Sequence, residues 1–343
     1  MKGKKYNNCI VDLKKYGGSS LSYLTVSNDL SVFRSNKWNG YFAYKEFFNS
    51  AIILGNPVIP KKSLNEAFDD LIKTFSKNKK HLSFFLCTEV ISDILIKKGF
   101  KSYFFGKEAI IDLKKFNISG KKGWSIRSSV NYAKRNEMIV EEYKYSKKRN
   151  FDLEDKINKI SEEWCYRKKN PELDFTSGHV NFEDYKNIRY FICKHKGKVV
   201  GFINLYPIFR TKSYYIDLTR HGNNSPRGTM DLLYYECIKK LKQEGIEKIY
   251  IGLSPLSFLN SFSKENNQNY IKILYLLQPF LGLIYPSKSE FYYKKKFATD
   301  WEPNYICFYP RISIRTIFSL IHSIYKGGFA GIFIHKIKSI FKK

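Results

Sequence analysis

Residues 214–235 constrain the fold more than any other part of the chain. An alternating pattern at 214–218 predicts a strand, residues 221–228 are rich in turn formers, and Thr229 begins a helical pattern. Backbone N–H groups at a helix start have no partner within the helix, so this strand–loop–helix arrangement can hold an anionic group. Asp217 and Arg220 stand at the end of the strand, where we expect side chains to face a cleft.

Strand and helix patterns alternate along the rest of the chain, which favours an α/β (α+β) fold. Residues 1–60 are rich in aromatic side chains and are predicted to form short strands. The second half combines a helix, a hairpin turning at 195–198 and a helix that opens on a glycine turn. These are the parts of a GNAT-type acyltransferase domain, and the first half could be a degenerate copy. We therefore predict tandem GNAT-like domains, with mixed sheets flanked by helices.

The length of 343 residues suits two domains of about 150 residues each. We place an N-terminal GNAT-like domain at 1–118 and a catalytic GNAT-like domain at 151–310. A basic connecting helix is predicted between them at 119–150, and an amphipathic basic tail at 311–343.

The formal net charge is +29, from 60 Lys and Arg against 31 Asp and Glu. Such an excess predicts a polyanionic partner, either nucleic acid or an anionic membrane. An AT-rich genome would explain part of the lysine content, but not the low number of acids. The six cysteines form no CxxC pair, which favours reduced thiols in a cytosolic protein over zinc or disulfides. No apolar run of about 18 residues predicts a membrane-spanning helix, and the nearest candidate, 273–285, is short and interrupted.

Residues 119–137 predict an amphipathic helix with Ile126, Val130 and Ala133 on one face. Its basic side is either a solvated helix face or a surface that follows phosphates; such contacts give affinity without reading sequence. The basic residues concerned are Lys121, Lys122, Arg127, Lys134 and Arg135.

The glycine pattern of the loop before the helix that begins at Thr229 indicates whether the chain could bind coenzyme A. A GNAT enzyme that uses acetyl-CoA usually has two closely spaced glycines there, whereas residues 225–230 contain only Gly228. The pyrophosphate cradle is incomplete, so we expect no coenzyme A, and no other cofactor or metal is predicted.

Short motifs in a fixed order resemble the C-terminal catalytic domain of phosphatidylglycerol lysyltransferases and their alanyl relatives. The most specific are DLTR at 217–220, GTMD at 228–231 and WEPNY at 301–305. The remaining ones are LGNP at 54–57, GKEA at 106–109, SGKK at 119–122, ISEEW at 160–164, VGFINLYP at 200–207, GLSPL at 252–256 and KKKF at 294–297.

The resemblance implies transfer of an amino acid, lysine or alanine, from aminoacyl-tRNA to phosphatidylglycerol or a similar anionic lipid. This would lower the negative charge of the cell surface and give resistance to cationic peptides. It also implies a tRNA-facing surface and a lipid opening at opposite ends of one tunnel. Members usually carry a large N-terminal membrane domain with flippase activity. These 343 residues show no such domain, which leaves a separate flippase open as a partner. The oligomeric state is left open.

An aminoacyl ester is already activated, so the main task is to remove a proton from the attacking hydroxyl, which a carboxylate can do. Asp217 is the candidate base, and Arg220 is predicted to hold a phosphate. Lys294 or Lys296 could stabilise the oxyanion. Asp231 lies in a first helical turn, where acids often only complement the helix dipole. The catalytic candidates are Asp217, Arg220 and Lys296, and the substrate-binding candidates are Glu108, Lys294, Asp231, Gly228, Thr229 and Glu302.

The tail carries apolar residues at helical spacing and basic residues but no acid from Arg311 onward. This pattern suits the interface of an anionic bilayer, and a packed terminal helix pair is the alternative. We expect a cytoplasmic protein peripheral to the inner face of the cell membrane. Three other functions stay open: aminoacyl transfer to a peptidoglycan precursor as in Fem-type enzymes, a non-catalytic RNA- or membrane-binding module, and a CoA-dependent acetyltransferase.

Overall fold

The structure is a computed structural model that describes residues 2–144, 149–167, 173–255, 257 and 287–340. Within these ranges, no helix has both the length and the apolar character that crossing a membrane requires. The predicted apolar candidate at 273–285 lies outside the described residues.

Helices and strands alternate along most of the chain. The helices are α1 (Lys2–Tyr16), α2 (Leu64–Lys77), α3 (Glu89–Lys97), α4 (Trp124–Arg135), α5 (Phe151–Arg167), α6 (Thr229–Gln243), α7 (Ser287–Phe297), α8 (Ile314–Ile324) and α9 (Gly328–Ile340). The strands are β1 (Ser31–Phe33), β2 (Phe42–Phe47), β3 (Ser50–Leu54), β4 (His81–Thr88), β5 (Lys101–Asp112), β6 (Met138–Tyr143), β7 (Arg189–His195), β8 (Lys198–Ile208), β9 (Ser213–His221), β10 (Lys248–Pro255) and β11 (Asp300–Tyr309). A 3₁₀ turn at Ser20–Val26 follows α1.

The strands form one mixed sheet in the order β1-β2-β3-β4-β11-β5-β10-β9-β8-β7-β6. Two neighbouring pairs are parallel, β3 with β4 and β9 with β10. Each parallel pair is joined by a crossover helix, α2 in the first half and α6 in the second, as parallel strands require. The two halves therefore repeat one plan, and the prediction of an α/β fold of tandem GNAT-like type is confirmed.

The two halves exchange strands at the centre of the sheet. Strand β11, which follows α7 in the second half, lies between β4 and β5 of the first half and pairs with both. Strand β5 in turn pairs with β10 of the second half. The halves thus share a continuous set of backbone hydrogen bonds, while the division at residues 118, 150 and 310 stays a prediction.

Side chains alternate between the two faces of the sheet. In β7, Ile192 packs in a cluster with α1, α5 and α8, while Phe191 and Cys193 pack in a cluster with α4 and α6. Trp301 and Cys307, an even number of residues apart on β11, pack with the α4–α6 cluster and with the α2–α3 cluster respectively. We call the side covered by α1, α5 and α8 the tail face. The side covered by α2, α3, α4, α6 and α7 is the crossover face.

One local prediction was wrong, and another was confirmed with narrower bounds. The predicted short strands begin only at Ser31, because residues 2–16 form a helix that buries Cys9 and Leu13, one turn apart, against the sheet. The predicted helix at 119–137 is shorter, since α4 begins at Trp124. Arg127 donates hydrogen bonds to the carbonyl oxygens of Ile118 and Gly120 and so holds the preceding residues in a turn.

Gly228 provides a test of how α4 and α6 pack. Its φ is +87°, and a Cβ there would lie 2.7 Å from the Ser129 carbonyl oxygen of α4. We expect Gly228→Ala to lower the free energy of unfolding by about 2–4 kcal/mol, because left-handed strain adds to overpacking.

Gly197, in the β7–β8 turn, is the matched control. Its φ is +74°, and nothing lies within 4 Å of an added Cβ. Gly197→Ala should therefore cost only about 1 kcal/mol. Urea unfolding of both variants measures the difference, and equal losses would contradict the close approach of α4 to α6.

Candidate active site

The parallel strands β9 and β10 separate at the centre of the second half. They pair only from Ser213 to Tyr215, opposite Lys248 to Tyr250. Beyond Tyr250 the register of β10 shifts, and Gly252 adopts a φ of +83° in the shifted segment. Because the strands no longer share hydrogen bonds there, a cavity of about 590 Å³ opens between them. This volume is in the range that holds a small substrate.

The cavity is lined from both faces of the sheet. Trp164 of α5, Leu21 of the 3₁₀ turn and Tyr325 after α8 line it from the tail face. Tyr234 of α6 and Lys294 of α7 line it from the crossover face. The cavity therefore reaches through the sheet at the point where β9 and β10 separate.

Asp217 lies on the β9 side of the cavity and is half-buried. The backbone N–H of Gly178 donates a hydrogen bond to its Oδ2 at 2.9 Å. A side chain at Gly178 would collide with the Tyr206 hydroxyl and approach Asp217 Oδ2 to 3.0 Å, so this contact depends on the glycine. Burial raises the pKa of the Asp217 carboxyl to about 6, although the Gly178 N–H and the Arg220 charge oppose the shift. The group can thus gain and lose a proton near neutral pH.

Arg220 also lines the cavity and is only 3% exposed. Its guanidinium donates hydrogen bonds to the Ser161 hydroxyl and, at 3.1 Å, to the Cys165 sulfur. It also lies 5.0 Å from the centre of the Trp164 ring. Helix α5 therefore fixes the position of this cation at the wall, beside the strand end that the sequence singled out.

Two further charged groups meet in the cavity. The Lys294 amine donates a hydrogen bond to the Leu253 carbonyl oxygen at 2.6 Å and pairs with Glu290 at 3.0 Å. The Glu108 carboxylate accepts a hydrogen bond from the Ser20 hydroxyl at 2.8 Å. Burial raises the pKa of Glu108 to about 7, and the nearby Lys294 charge opposes that shift. The cavity therefore combines buried acids with buried cations, an arrangement suited to a substrate that carries both charges.

Four predicted site residues belong to packing contacts instead of the described cavity wall. Lys296 donates to both carboxylate oxygens of Asp231 at 2.8 Å, which ties α7 to α6. Gly228 permits the approach of α6 to α4, and Thr229 is buried with its hydroxyl on the Pro226 carbonyl at 2.7 Å. Their assignment to catalysis or substrate binding stays a prediction.

Glu302 is also absent from the described cavity wall. It faces Glu108 across the β5–β11 pair, and its carboxylate lies 3.7 Å from Lys248. Its assignment to substrate binding likewise stays a prediction.

The predicted basic surface is only partly free for a ligand. Lys121, Lys122 and Arg135 are exposed. Lys134 pairs with Glu236 at 2.7 Å, and Arg127 is engaged with backbone carbonyl oxygens. The first three residues therefore carry most of the charge that could meet phosphates.

The tail both packs and exposes apolar surface. Helix α8 buries Leu320, Ile321 and Ile324 against the tail face of the sheet. We call the exposed apolar side chains of α8, α9 and the neighbouring β2–β3 turn the tail patch; its members are Phe48, Ile314, Phe318, Phe333, Ile334 and Ile337. The basic end of the tail, Lys342 and Lys343, lies outside the described residues.

Asp29, Asp174 and His179 bring potential metal-ligand atoms within 4.8 Å of one another, outside the cavity. The Lys45 ammonium already pairs with Asp174 at 2.6 Å, and its charge would repel a metal ion. This cluster therefore gives no support for a metal centre.

Several residues of the site were missed from the sequence. Trp164 belongs to the ISEEW motif, which could have indicated it, whereas the wall residues Ser20 and Tyr325 are distant in sequence from every motif. The same is true of Gly178, which is not part of the wall but donates a hydrogen bond to Asp217. These residues come to the site only through tertiary packing.

Known proteins resemble this chain in sequence and in fold. A phosphatidylglycerol lysyltransferase from Staphylococcus epidermidis is 25% identical over 318 residues, which cover 89% of this chain but 36% of that protein. The chain thus spans about a third of the length of that relative. The C-terminal domain of a putative lysylphosphatidylglycerol synthetase from Agrobacterium fabrum superimposes with a TM-score of 0.78, at 20% identity, covering 95% of this chain and 99% of that domain. L-PGS from Bacillus licheniformis gives a TM-score of 0.76, at 23% identity, with coverage of 93% and 97%.

The family profile described as "Phosphatidylglycerol lysyltransferase, C-terminal" matches residues 11–308. These residues include both parallel strand pairs and all described residues of the cavity wall except Ile324 and Tyr325. The resemblance first seen in the ordered motifs is confirmed, and the chain belongs to the phosphatidylglycerol lysyltransferase C-terminal family.

Proposed function

We propose that this protein is an aminoacyltransferase that moves an amino acid from aminoacyl-tRNA to phosphatidylglycerol or a similar anionic lipid. The observation that supports this most strongly is the cavity that passes through the sheet between β9 and β10 and is lined from both faces. Two large substrates can then approach from opposite sides, and only their reactive ends need to meet. Family membership supports the same reaction class.

The chemistry follows from the side chains at the wall. The lipid glycerol hydroxyl attacks the ester carbonyl carbon of the aminoacyl group, and Asp217 accepts the hydroxyl proton. The bond between that carbon and the tRNA ribose oxygen breaks, and Asp217 returns the proton to the ribose oxygen. A carboxyl with a pKa of about 6 suits both steps near neutral pH.

The cations have separate tasks in this proposal. Lys294 is held on the Leu253 carbonyl oxygen close to the parted strands, where its ammonium can stabilise negative charge on the ester oxygen. Arg220 is fixed on α5 and offers its guanidinium to the lipid phosphate. This proposal places Lys294 in the role for which Lys296 was the sequence candidate, because Lys296 is engaged with Asp231.

Glu108 is the acid that we assign to the ammonium group of the aminoacyl substrate. Of the acids predicted from the sequence to bind substrate, which were Glu108, Asp231 and Glu302, it alone is part of the described cavity wall. A buried ammonium group is costly unless it pairs with an opposite charge, and the Glu108 carboxylate can provide that charge for a lysyl side chain. Lysine is therefore the amino acid that the site fits best, with alanine as the alternative.

The tail patch supports a peripheral position on the inner face of the cell membrane. Its aliphatic and aromatic side chains, with the basic residues of 311–343, match the composition of interfacial helices. The cavity is lined by Ile324 and Tyr325 at the end of α8, so a lipid near the tail patch would be close to the wall. A separate flippase would be needed only to move the product across the bilayer.

The direct test is transfer of radiolabelled lysine or alanine from charged tRNA to phosphatidylglycerol vesicles, measured as lipid-extractable label. Wild-type protein should transfer the label, and Asp217→Asn should lose at least a hundredfold in rate, because a general base contributes about that much. Absence of transfer by folded wild-type protein to any lipid would end the proposal.

The pH dependence of transfer should report Asp217. Only the ionised carboxylate accepts a proton, so kcat/KM should fall about tenfold per pH unit below about 6. Glu108→Gln should show the same fall in kcat/KM below about pH 6, which would assign the fall to Asp217 and not to Glu108, the other carboxyl whose pKa is raised.

As pH rises through about 6, the ionisation of Asp217 should increase activity and lower the free energy of unfolding. The folded pKa of about 6 is above the ordinary 3.8, so folding favours the protonated form, and the stabilisation present below 3.8 is lost as pH rises through 6. The free energy of unfolding of Asp217→Asn should then be about 1–2 kcal/mol higher than that of wild type at pH 7.5. A variant that is both inactive and less stable would contradict the account of Asp217 as a half-buried carboxylate that lowers stability at neutral pH.

Glu108→Gln tests the choice of amino acid. Removing the carboxylate should lower kcat/KM for lysyl-tRNA at least tenfold and leave alanyl-tRNA nearly unchanged, because only lysine brings a second ammonium. Glu302→Gln, which changes the acid opposite Glu108 on β11, should alter this discrimination less. Equal losses with both tRNAs would instead place the α-ammonium at Glu108.

A further inference from the structure

Helix α4 exposes aromatic rings on its solvent side. Trp124 is 65% exposed and Tyr132 is 39% exposed, while Ile126, Val130 and Ala133 are buried on the other side of the same helix. The rings are therefore not needed for packing α4 on α6. Exposed aromatic side chains that share one helix surface with basic residues mark a candidate binding site.

Positive charge surrounds these rings. Residues 114–135 contain seven Lys and Arg and no Asp or Glu. Lys121, Lys122 and Arg135 are exposed, and the guanidinium of Arg227 lies 5.9 Å from the centre of the Tyr132 ring. Aromatic faces between cations are the combination that binds single-stranded nucleic acid, in which bases stack and phosphates follow the charge.

The position of this surface connects it to the cavity. Arg227 immediately precedes α6, and Met230 in the first turn of α6 lines the cavity. Helix α4 packs on the crossover face, whereas the tail patch belongs to helices of the tail face. A membrane contacted by the tail patch would thus have the sheet between it and α4, which favours RNA over lipid as the partner of α4.

We propose that Trp124, Tyr132 and Arg227 form a stacking platform for the unpaired bases of a single-stranded RNA 3′ end. Lys121, Lys122 and Arg135 contact the adjoining phosphates. The identity of this RNA as the aminoacyl-tRNA rests on the proposed function. The platform would direct the aminoacyl end past Arg227 toward the cavity at Met230.

The test uses the full chain and two RNA hairpins with the same stem, one ending in a four-nucleotide 3′ overhang and one blunt. Kd is measured for each by fluorescence polarisation at a fixed salt concentration. Trp124→Leu should weaken binding of the overhang hairpin at least fivefold and leave the blunt hairpin unchanged, because stacking stabilises by about 1–3 kcal/mol per base. Trp124→Phe should restore most of the affinity. Lys121→Gln with Lys122→Gln should weaken both hairpins and reduce the salt dependence.

Two controls separate stacking from other effects. Phe151 is 66% exposed and has the Arg149 guanidinium 4.9 Å from its ring centre, so Phe151→Leu removes a similar aromatic–arginine pair elsewhere. It should leave both affinities unchanged. Phe333→Glu in the tail patch should lower binding to phosphatidylglycerol vesicles but not to RNA.

The proposal is overturned if Trp124→Leu binds both hairpins as wild type does. It is also overturned if Trp124→Leu loses vesicle binding while keeping RNA binding, which would make α4 a membrane contact. These assays use RNA that carries no amino acid, and they require no catalytic turnover. If Trp124→Leu loses the preference for the overhang hairpin but wild-type protein transfers nothing to lipid, the platform is supported and the proposed enzyme activity is rejected. If wild-type protein transfers an amino acid to lipid but Trp124→Leu keeps the preference, the activity is supported and the platform is rejected.

Discussion

The short pairing between β9 and β10 is the constraint on which the rest of the site depends. Two parallel strands that remained bonded along their length would close the sheet and leave no passage. Here the ladder ends at Tyr215 and Tyr250, and Gly252 takes a left-handed conformation where β10 changes register. The exchange of β5 and β11 between the two halves keeps the surrounding sheet continuous. A passage can therefore open inside a sheet whose remaining strands stay bonded.

Placing charges in this passage has an energetic cost, and the fold meets it with specific partners. The Gly178 N–H on Asp217, the Ser20 hydroxyl on Glu108 and the Leu253 carbonyl on Lys294 each satisfy a charged group. These contacts only partly offset burial, so the pKa values of Asp217 and Glu108 stay raised. Such groups reduce stability at neutral pH, and they are the ones best suited to moving a proton or pairing with a substrate ammonium.

The sequence was informative where local chemistry decides the structure. The strand end at Asp217 and Arg220 was correctly expected at a cleft, because charged residues that close an apolar strand rarely point into a core. The choice between Lys294 and Lys296 could not be made, since it depends on the rotation of α7. Residues two positions apart on a helix point in nearly opposite directions, and the burial of Phe297 fixes which lysine faces the cavity. Gly178 and Ser20 carry no local signal and reach the site only through long-range packing. The exchange of β5 and β11 is likewise a property of the whole sheet.

The central claim is that the side chains in the passage move an amino acid onto a membrane lipid. The most direct measurement is mass spectrometry of lipids extracted from bacteria that lack aminoacylated lipids and express this chain or its Asp217→Asn variant at equal levels. The account predicts a new lysyl- or alanyl-phosphatidylglycerol species, or the same modification of a similar anionic lipid, with the wild-type chain and none with the variant. An unchanged lipid profile with folded wild-type protein, or the same new species with Asp217→Asn, would contradict it.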